Sequence, residues 1–319
     1  MLLIFKSNMS YRFRNALCIF LLLVLEANFS NLVLANEIQL HGFISQGIIK
    51  NKDSSFITDD NNLSLDLTEI GLNASYQLLP NLRIAGQAVY LNGGNRFDEG
   101  VRVDYLLADW TFYHSAVNQS HLYFGRIKNY HWLYSSTRDV PMTRPSIILP
   151  QSVYFDGTRD MSVGGDGVAF SNQYASENVG ELDFTVSSSV APISKDDTKS
   201  IIAKIARGKL THKNDFQMSL YWRPNLQPWK LGAAITDASF KYEQGTQDAF
   251  ANGSFDLQRI YFNAEYFGEK WSLSAELLQE KMNLNGLLFS GFKRDTTGQG
   301  GFVQAQYQAS NNLQLLWRY

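Results

Sequence analysis

Residues 259–266 read Arg259-Ile260-Tyr261-Phe262-Asn263-Ala264-Glu265-Tyr266. Apolar Ile260, Phe262, Ala264 and Tyr266 alternate with Arg259, Asn263 and Glu265. Successive side chains of a strand point to opposite faces, so this stretch has one greasy face and one wet face. The same period of two recurs along the chain. Ile70, Leu72, Ala74 and Tyr76 alternate with Glu69, Asn73, Ser75 and Gln77. Leu182, Phe184 and Val186, then Phe216, Met218, Leu220 and Trp222, then Leu273, Ala275 and Leu277, repeat it. Helical periodicity is scarce after residue 36.

A soluble sandwich alternates as well, so the period does not by itself place the chain in a membrane. Three further features do. The segments reach about ten residues, the length a tilted strand needs to cross hydrocarbon. Their polar face carries Arg, Asp and Glu, as a wet lumen would. Their connections alternate between short and long, as in outer-membrane barrels with tight periplasmic turns and long outer loops. The strands read as 38–48, 66–78, 82–91, 101–112, 120–127, 161–170, 181–191, 215–223, 229–241, 255–267, 271–282, 301–309 and 312–319. Joints after even-numbered strands are mostly tight, with looser ones after the fourth and sixth. The stretches 49–65, 92–100, 128–160, 192–214, 242–254 and 283–300 are the long connections. Tyr76, Trp110, Phe112, Trp222, Trp229, Tyr266, Trp271, Tyr307 and Trp317 gather at the short-turn ends, where an interfacial girdle belongs. The fold expected is all-β, a transmembrane antiparallel β-barrel with 13 strands legible. Bacterial single-chain barrels use even strand numbers, so an odd count implies either one miscounted strand or a chain that stops short of its barrel.

Composition excludes other classes. The chain has 28 Lys+Arg against 30 Asp+Glu over 319 residues, without the basic excess of a nucleic-acid binder. One long apolar run exists, Ala16 to Leu25, preceded by Arg12 and Arg14 and followed by Val33-Leu34-Ala35. A basic start, a short apolar run and a small-residue site mark residues 1–35 as a signal peptide. Its removal takes away Lys6, Arg12, Arg14, Glu26 and the single cysteine, Cys18. Residues 36–319 are then one exported, mildly acidic barrel domain with no disulfide and no thiolate metal site.

The segment Gly125-Arg126-Ile127-Lys128-Asn129-Tyr130, with Ser136-Thr137-Arg138-Asp139-Val140-Pro141-Met142-Thr143-Arg144-Pro145 and Leu149-Pro150-Gln151-Ser152-Val153-Tyr154-Phe155, resembles proteobacterial porin-like outer-membrane proteins. His41 to Gly47 and Val103 to Asp109 fit that resemblance. It implies a general or phosphate-porin-like barrel of about 16 strands with a long inward-folding loop, and hence missing C-terminal strands. No ligand residue of phosphate-selective relatives can be matched.

Residues 128–160 stand out physically as well. A connection this long is functional or disordered, and Pro141, Pro145 and Pro150 with Trp132, Tyr134, Tyr154 and Phe155 argue against a floppy tip. The loop is long enough to enter a barrel and return. Its constriction candidates are Lys128, Arg138, Arg144, Arg159, Asp139 and Asp156, with Asp160 beside them. Two roles are open: a charged ring that sets ion preference, or arginines pinned to lumen carboxylates such as Glu265, Glu276 and Glu280. Lumen-lining candidates are Arg83, Arg102, Asp104, Asp183, Arg259, Glu265, Glu276, Glu280 and Arg318. Arg126 shares a face with Leu122 and Phe124, so a bulge or the loop's turn is expected before it. His131 and His212 fall in outer loops, where a polar surface role is expected.

No GxSxG elbow, P-loop or paired histidine motif appears. The chain reads as a porin for passive diffusion of small hydrophilic solutes, with an anion preference left open, without enzymatic activity, cofactor or metal. Its expected partners are outer-membrane lipids and small hydrophilic solutes or anions, with a homotrimer allowed and nucleic acid excluded. The alternatives are a non-transporting surface barrel (lipase, protease or adhesin) or a truncated, non-functional porin.

Overall fold

The computed structural model describes residues 38–319 except Asp60 and Asp98; the signal peptide read at 1–35 lies outside the described residues. Thirteen strands form one antiparallel sheet in chain order. They are β1 (Gln39–Lys50), β2 (Leu63–Leu79), β3 (Leu82–Asn92), β4 (Gly100–His114), β5 (Asn118–Lys128), β6 (Gly164–Ser176) and β7 (Gly180–Val190). There follow β8 (Lys209–Arg223), β9 (Trp229–Glu243), β10 (Gly253–Phe267), β11 (Trp271–Gly286), β12 (Lys293–Ser310) and β13 (Leu313–Arg318). Two helices interrupt them, α1 (Arg159–Ser162) and α2 (Lys195–Ile201), the latter closed by a capping box of Ser194 and Asp197.

Every strand pairs with its sequence neighbours, so each joint is a hairpin. All joints after even-numbered strands are tight, including 115–117 and 177–179, which corrects the looser ones expected after the fourth and sixth strands. The expected long connection 283–300 is also corrected. β11 runs on to Gly286 and β12 starts at Lys293, with Asn283 opposite Asp295 and Asn285 opposite Lys293. On β11 Met282 and Leu284 still alternate with Asn283 and Asn285, but residues 293–300 of β12 are polar or glycine on both faces, so apolar alternation is lost there while backbone pairing continues.

Burial is inverted relative to a soluble protein. Ile44, Leu106, Phe124, Leu220, Phe262 and Leu277 are exposed, whereas Asp104, Asp109, Glu276 and Gln304 are buried. The register assigns these sets to opposite faces. Glu276 opposes Asn263 on one side and Phe302 on the other, while Leu277 opposes Phe262 and Gly301. An apolar outward face and a charged inward face are what a strand sheet in hydrocarbon requires. The chain is an outer-membrane type β-barrel.

The girdle aromatics meet in three clusters. Trp271 lies 4.6 Å from Tyr307 and 6.0 Å from Trp317, and Trp229 lies 4.8 Å from Tyr266. Phe112, Phe170 and Phe184 form the third across β4, β6 and β7 at 6.1 and 6.2 Å. The sheet also comes round on itself. Arg144 reaches Glu69 of β2, while Ser146 and Ile148, a few residues on, receive Arg318 of β13. Opposite ends of the sheet thus face one short stretch of chain.

Arg126 differs from expectation. No register shift separates it from Leu122 and Phe124, and it stays on the outward face opposite Leu106 and Asp166. Its Nε and Nη2 donate to the two carboxylate oxygens of Asp166 at 2.8 and 2.9 Å. A bidentate partner on the adjacent strand neutralises the charge where a bulge was expected to redirect it. Gly125 beside it has φ +115°, and a Cβ there would lie 2.5 Å from the Leu106 carbonyl oxygen. Gly125→Ala is expected to destabilise the barrel by about 1–3 kcal/mol, measured by urea unfolding in lipid bilayers with tryptophan emission as the probe.

Candidate functional site

Residues 129–163 leave β5 and return to β6, and they fold against the inward face of the sheet. The base of the segment is closed by itself: the Asn129 N–H donates to the Val163 carbonyl at 2.8 Å, and its side-chain amide to the Ser162 carbonyl at 3.0 Å. Pro141 starts one 3-10 turn and Asp156 another, and the Tyr154 N–H donates to the Pro150 carbonyl at 2.8 Å. The chain is therefore a folded element and not an extended tip.

Three walls hold it. On β7 and β8, the His131 ring nitrogens meet the hydroxyls of Ser219 and Ser187 at 2.9 and 2.8 Å, and Tyr221 donates to the His131 carbonyl at 2.9 Å. On β11 and β12, Glu276 accepts from the Tyr154 hydroxyl at 2.6 Å and from the Leu133 N–H at 3.2 Å, and Ser152 donates to the Gly301 carbonyl at 2.7 Å. Glycine at 300 permits that approach, since a Cβ there would collide with the Ser152 carbonyl oxygen. Trp132, Tyr134, Leu149, Val153 and Tyr154 pack with Tyr261 and Phe302 into one apolar cluster. On β2 to β4 the contacts are ionic: Arg144 to Glu69 at 2.7 Å and Lys128 to Asp104 at 3.0 Å. Arg96, in the 3-10 turn between β3 and β4, pairs with Asp156 at 2.8 Å, and Arg102 with Asp160 at 2.8 Å.

Within the segment Arg138 pairs with Asp156 at 3.1 Å, and Arg159 with Asp139 and, at 2.9 Å, with Asp160. Arg138, Asp139, Asp156 and Arg159 are all buried. Burial pulls the guanidinium of Arg159 down to about 10 and lowers that of Arg138, leaving both charged at neutral pH. Each named base thus has an acidic partner, so little uncompensated field is left for steering ions.

The sequence-named residues separate into groups. Lys128, Arg138, Asp139, Arg144, Asp156 and Arg159 converge in one network with Arg102 and Asp104. Glu265, Glu276 and Glu280, expected to anchor the loop arginines, do not: Glu265 pairs with Lys230 at 3.3 Å, Glu280 with Arg259 at 2.7 Å, and Glu276 takes neutral donors. They lie on β10 and β11, across the lumen from the arginines' partners. Arg83 pairs with Asp109 at 2.9 Å on the neighbouring strand. Nothing local marks Glu69, in the middle of β2, or Arg96, in the connection after β3, as partners of the loop. His131, read as an outer-loop residue, is fully buried, and His212 lies within β8. Desolvation takes the His131 imidazole down to about 4, so it is neutral between its two serines.

No protein-family model matches the chain, and no curated protein matches it. Solved structures that match include the trimer form of OmpT, an outer membrane protein of Vibrio cholerae, at 10% identity over 89% of this chain and 87% of that one, TM-score 0.44. They also include outer-membrane expressed OmpT, at 10% identity over 90% and 87%, TM-score 0.45, and Salmonella typhi OmpF in complex with daunomycin, at 13% over 89% and 90%, TM-score 0.42. The sequence expectation of a chain without enzymatic activity is corrected here. The neighbours named OmpT are described as outer membrane proteins; at 10% identity they bear on the fold alone, and the absence of an activity is not kept as a conclusion.

Two outcomes test the anchoring. Arg159→Ala leaves Asp139 buried without its partner and is expected to weaken the seated loop by about 3–5 kcal/mol; adding Asp139→Asn should recover much of that, read in a double-mutant cycle of urea unfolding. For His131, the seated-state value of about 4 lies below the ordinary imidazole range. The released loop therefore binds a proton first, and seating weakens by up to about 3 kcal/mol as pH falls from about 6.5 to about 4. Protease cleavage within 129–163 should rise over that window in the wild type and change less in His131→Gln.

Proposed function

We propose that the chain, exported by a signal peptide at residues 1–35, forms a channel in the outer membrane of a Gram-negative bacterium. Small hydrophilic solutes diffuse through it passively, and residues 129–163 set the constriction. The observation that carries this reading is the pairing of an apolar outward face with an inward face built from charged and polar side chains, against which a folded segment is held on three sides. A wall of that kind keeps water and solutes away from lipid while the seated segment narrows the passage.

Selectivity is expected to be weak. Lys128, Arg96, Arg102, Arg138, Arg144 and Arg159 meet Asp104, Asp139, Asp156, Asp160 and Glu69, so bound charge cancels to within one positive charge. Any anion preference comes from that one base in excess. In planar bilayers the purified protein should give steady ohmic conductance with a slight preference for chloride over potassium. Arg138→Ala with Arg144→Ala leaves Asp156 and Glu69 in place and should move the reversal potential towards cations. An electrically silent, correctly folded barrel would end the channel reading and leave a surface barrel plugged by its own loop.

A further inference from the structure

A cavity of about 340 Å³ lies between the seated segment and the inward face of β8 to β11, with Ile201 of α2 on its border. Its size is at the small end of the range of small-molecule sites, about 300–1,000 Å³. Five of its lining residues carry a buried polar atom without a hydrogen-bond partner: Trp132 Nε1, His212 Nε2, Asp215 Oδ1, Gln217 Oε1 and Thr236 Oγ1. The side chains are themselves almost wholly buried; His212, Asp215, Gln217 and Thr236 are 6–7% exposed. Native interiors leave few such atoms unpaired, and a cluster around one cavity calls for an explanation.

The chemistry of the unpaired atoms is mixed. His212 Nδ1 accepts from the Ala191 N–H at 2.9 Å, which places the proton of the neutral ring on Nε2 and makes it a donor. The Trp132 indole is also a donor, and the Thr236 hydroxyl is both donor and acceptor. Asp215 Oδ1 and Gln217 Oε1 accept; their other atoms are engaged with each other at 2.6 Å. A cation would leave the indole and imidazole N–H groups without an acceptor. An anion would meet the Asp215 carboxylate and Glu280, with Arg259 already committed to Glu280 at 2.7 Å. A hydroxyl group donates once and accepts twice, and so satisfies both kinds of atom.

The remaining lining is flat and apolar. The His212 ring stacks on Phe240 at 4.4 Å and Phe240 on Phe255 at 4.6 Å, a three-ring ladder across β8, β9 and β10. Such faces take the C–H side of a ring whose rim carries hydroxyls. We propose that this cavity is a binding site for a neutral polyhydroxylated solute of mono- or disaccharide size. The assignment concerns binding alone and stands whether or not the barrel conducts.

The test uses the folded full-length barrel in detergent micelles, titrated calorimetrically with D-glucose and with maltose, and in parallel with arginine hydrochloride and with inorganic phosphate. Saturable one-to-one heat with at least one sugar is expected, with quenching of tryptophan emission that Trp132→Phe reduces. Thr236→Val removes a hydroxyl that has no partner in the fold, so stability should hold while sugar affinity falls about tenfold, the factor carried by one hydrogen bond in a buried site. The proposal is overturned if neither sugar binds saturably, if arginine or phosphate binds in preference, or if Thr236→Val binds sugar as tightly as the wild type while remaining folded by urea titration.

Discussion

Hydrocarbon offers no hydrogen-bond partner, and nearly every feature of this barrel follows from that. Backbone groups are satisfied strand to strand, and side chains facing lipid are apolar or, as with Arg126 and Asp166, neutralised in a bidentate pair. Asp104, Asp109, Glu265 and Glu276 turn inward and are buried. The interior is therefore polar by exclusion before it is polar by function. The long connection between β5 and β6 inherits a charged wall to fold against, and its own composition answers that wall: arginines where β2 to β4 present acids, aromatics where β10 to β12 present Tyr261 and Phe302.

The ionic lacing is better understood as specifying position than as supplying stability. Burying Arg138, Asp139, Asp156 and Arg159 strips them of water, and the attraction within each pair offsets that loss only with good geometry. What the network gains is uniqueness. A displaced segment would strand a buried charge on the wall and another on itself, so alternative seatings are penalised heavily. The apolar cluster of Trp132, Tyr134, Tyr154 and Phe302 supplies the burial that drives docking, and the ion pairs select which docking occurs. The same arrangement binds β2 and β13 to one short stretch of chain, so a segment that narrows the interior also helps hold the curvature of the sheet around it.

A constriction whose charges cancel differs from one built to concentrate a single sign of ion. Field strength in a narrow, low-dielectric passage depends on what is left uncompensated, and here the arginines of 129–163 are largely spent on neighbouring acids. In the channel proposed above, discrimination among solutes would then rest on shape and hydrogen bonding along the wall. The unpaired atoms beside β8 and β9 and the stacked rings of His212, Phe240 and Phe255 are the part of the interior where such discrimination has material to work with.

Thirteen strands and the two faces of the sheet were legible from alternation, and the hairpin joints from the short and long connections between them, because period two is a local property that lipid on one side makes sharp. The girdle at Trp229, Tyr266, Trp271 and Trp317 was legible for the same reason. The start of β12 at 293–300 was not, since its residues are polar or glycine on both faces and alternation is lost although pairing continues. The loop's basic and acidic residues could be listed from the chain, but not their partners. Glu69 and Arg96 lie 75 and 60 residues from Arg144 and Asp156, and Glu276 turned to Tyr154 in place of an arginine. Sequence by itself determined which way each strand faces; only the tertiary structure decided which charges meet across the interior, because that depends on how the sheet curls and not on spacing along the chain.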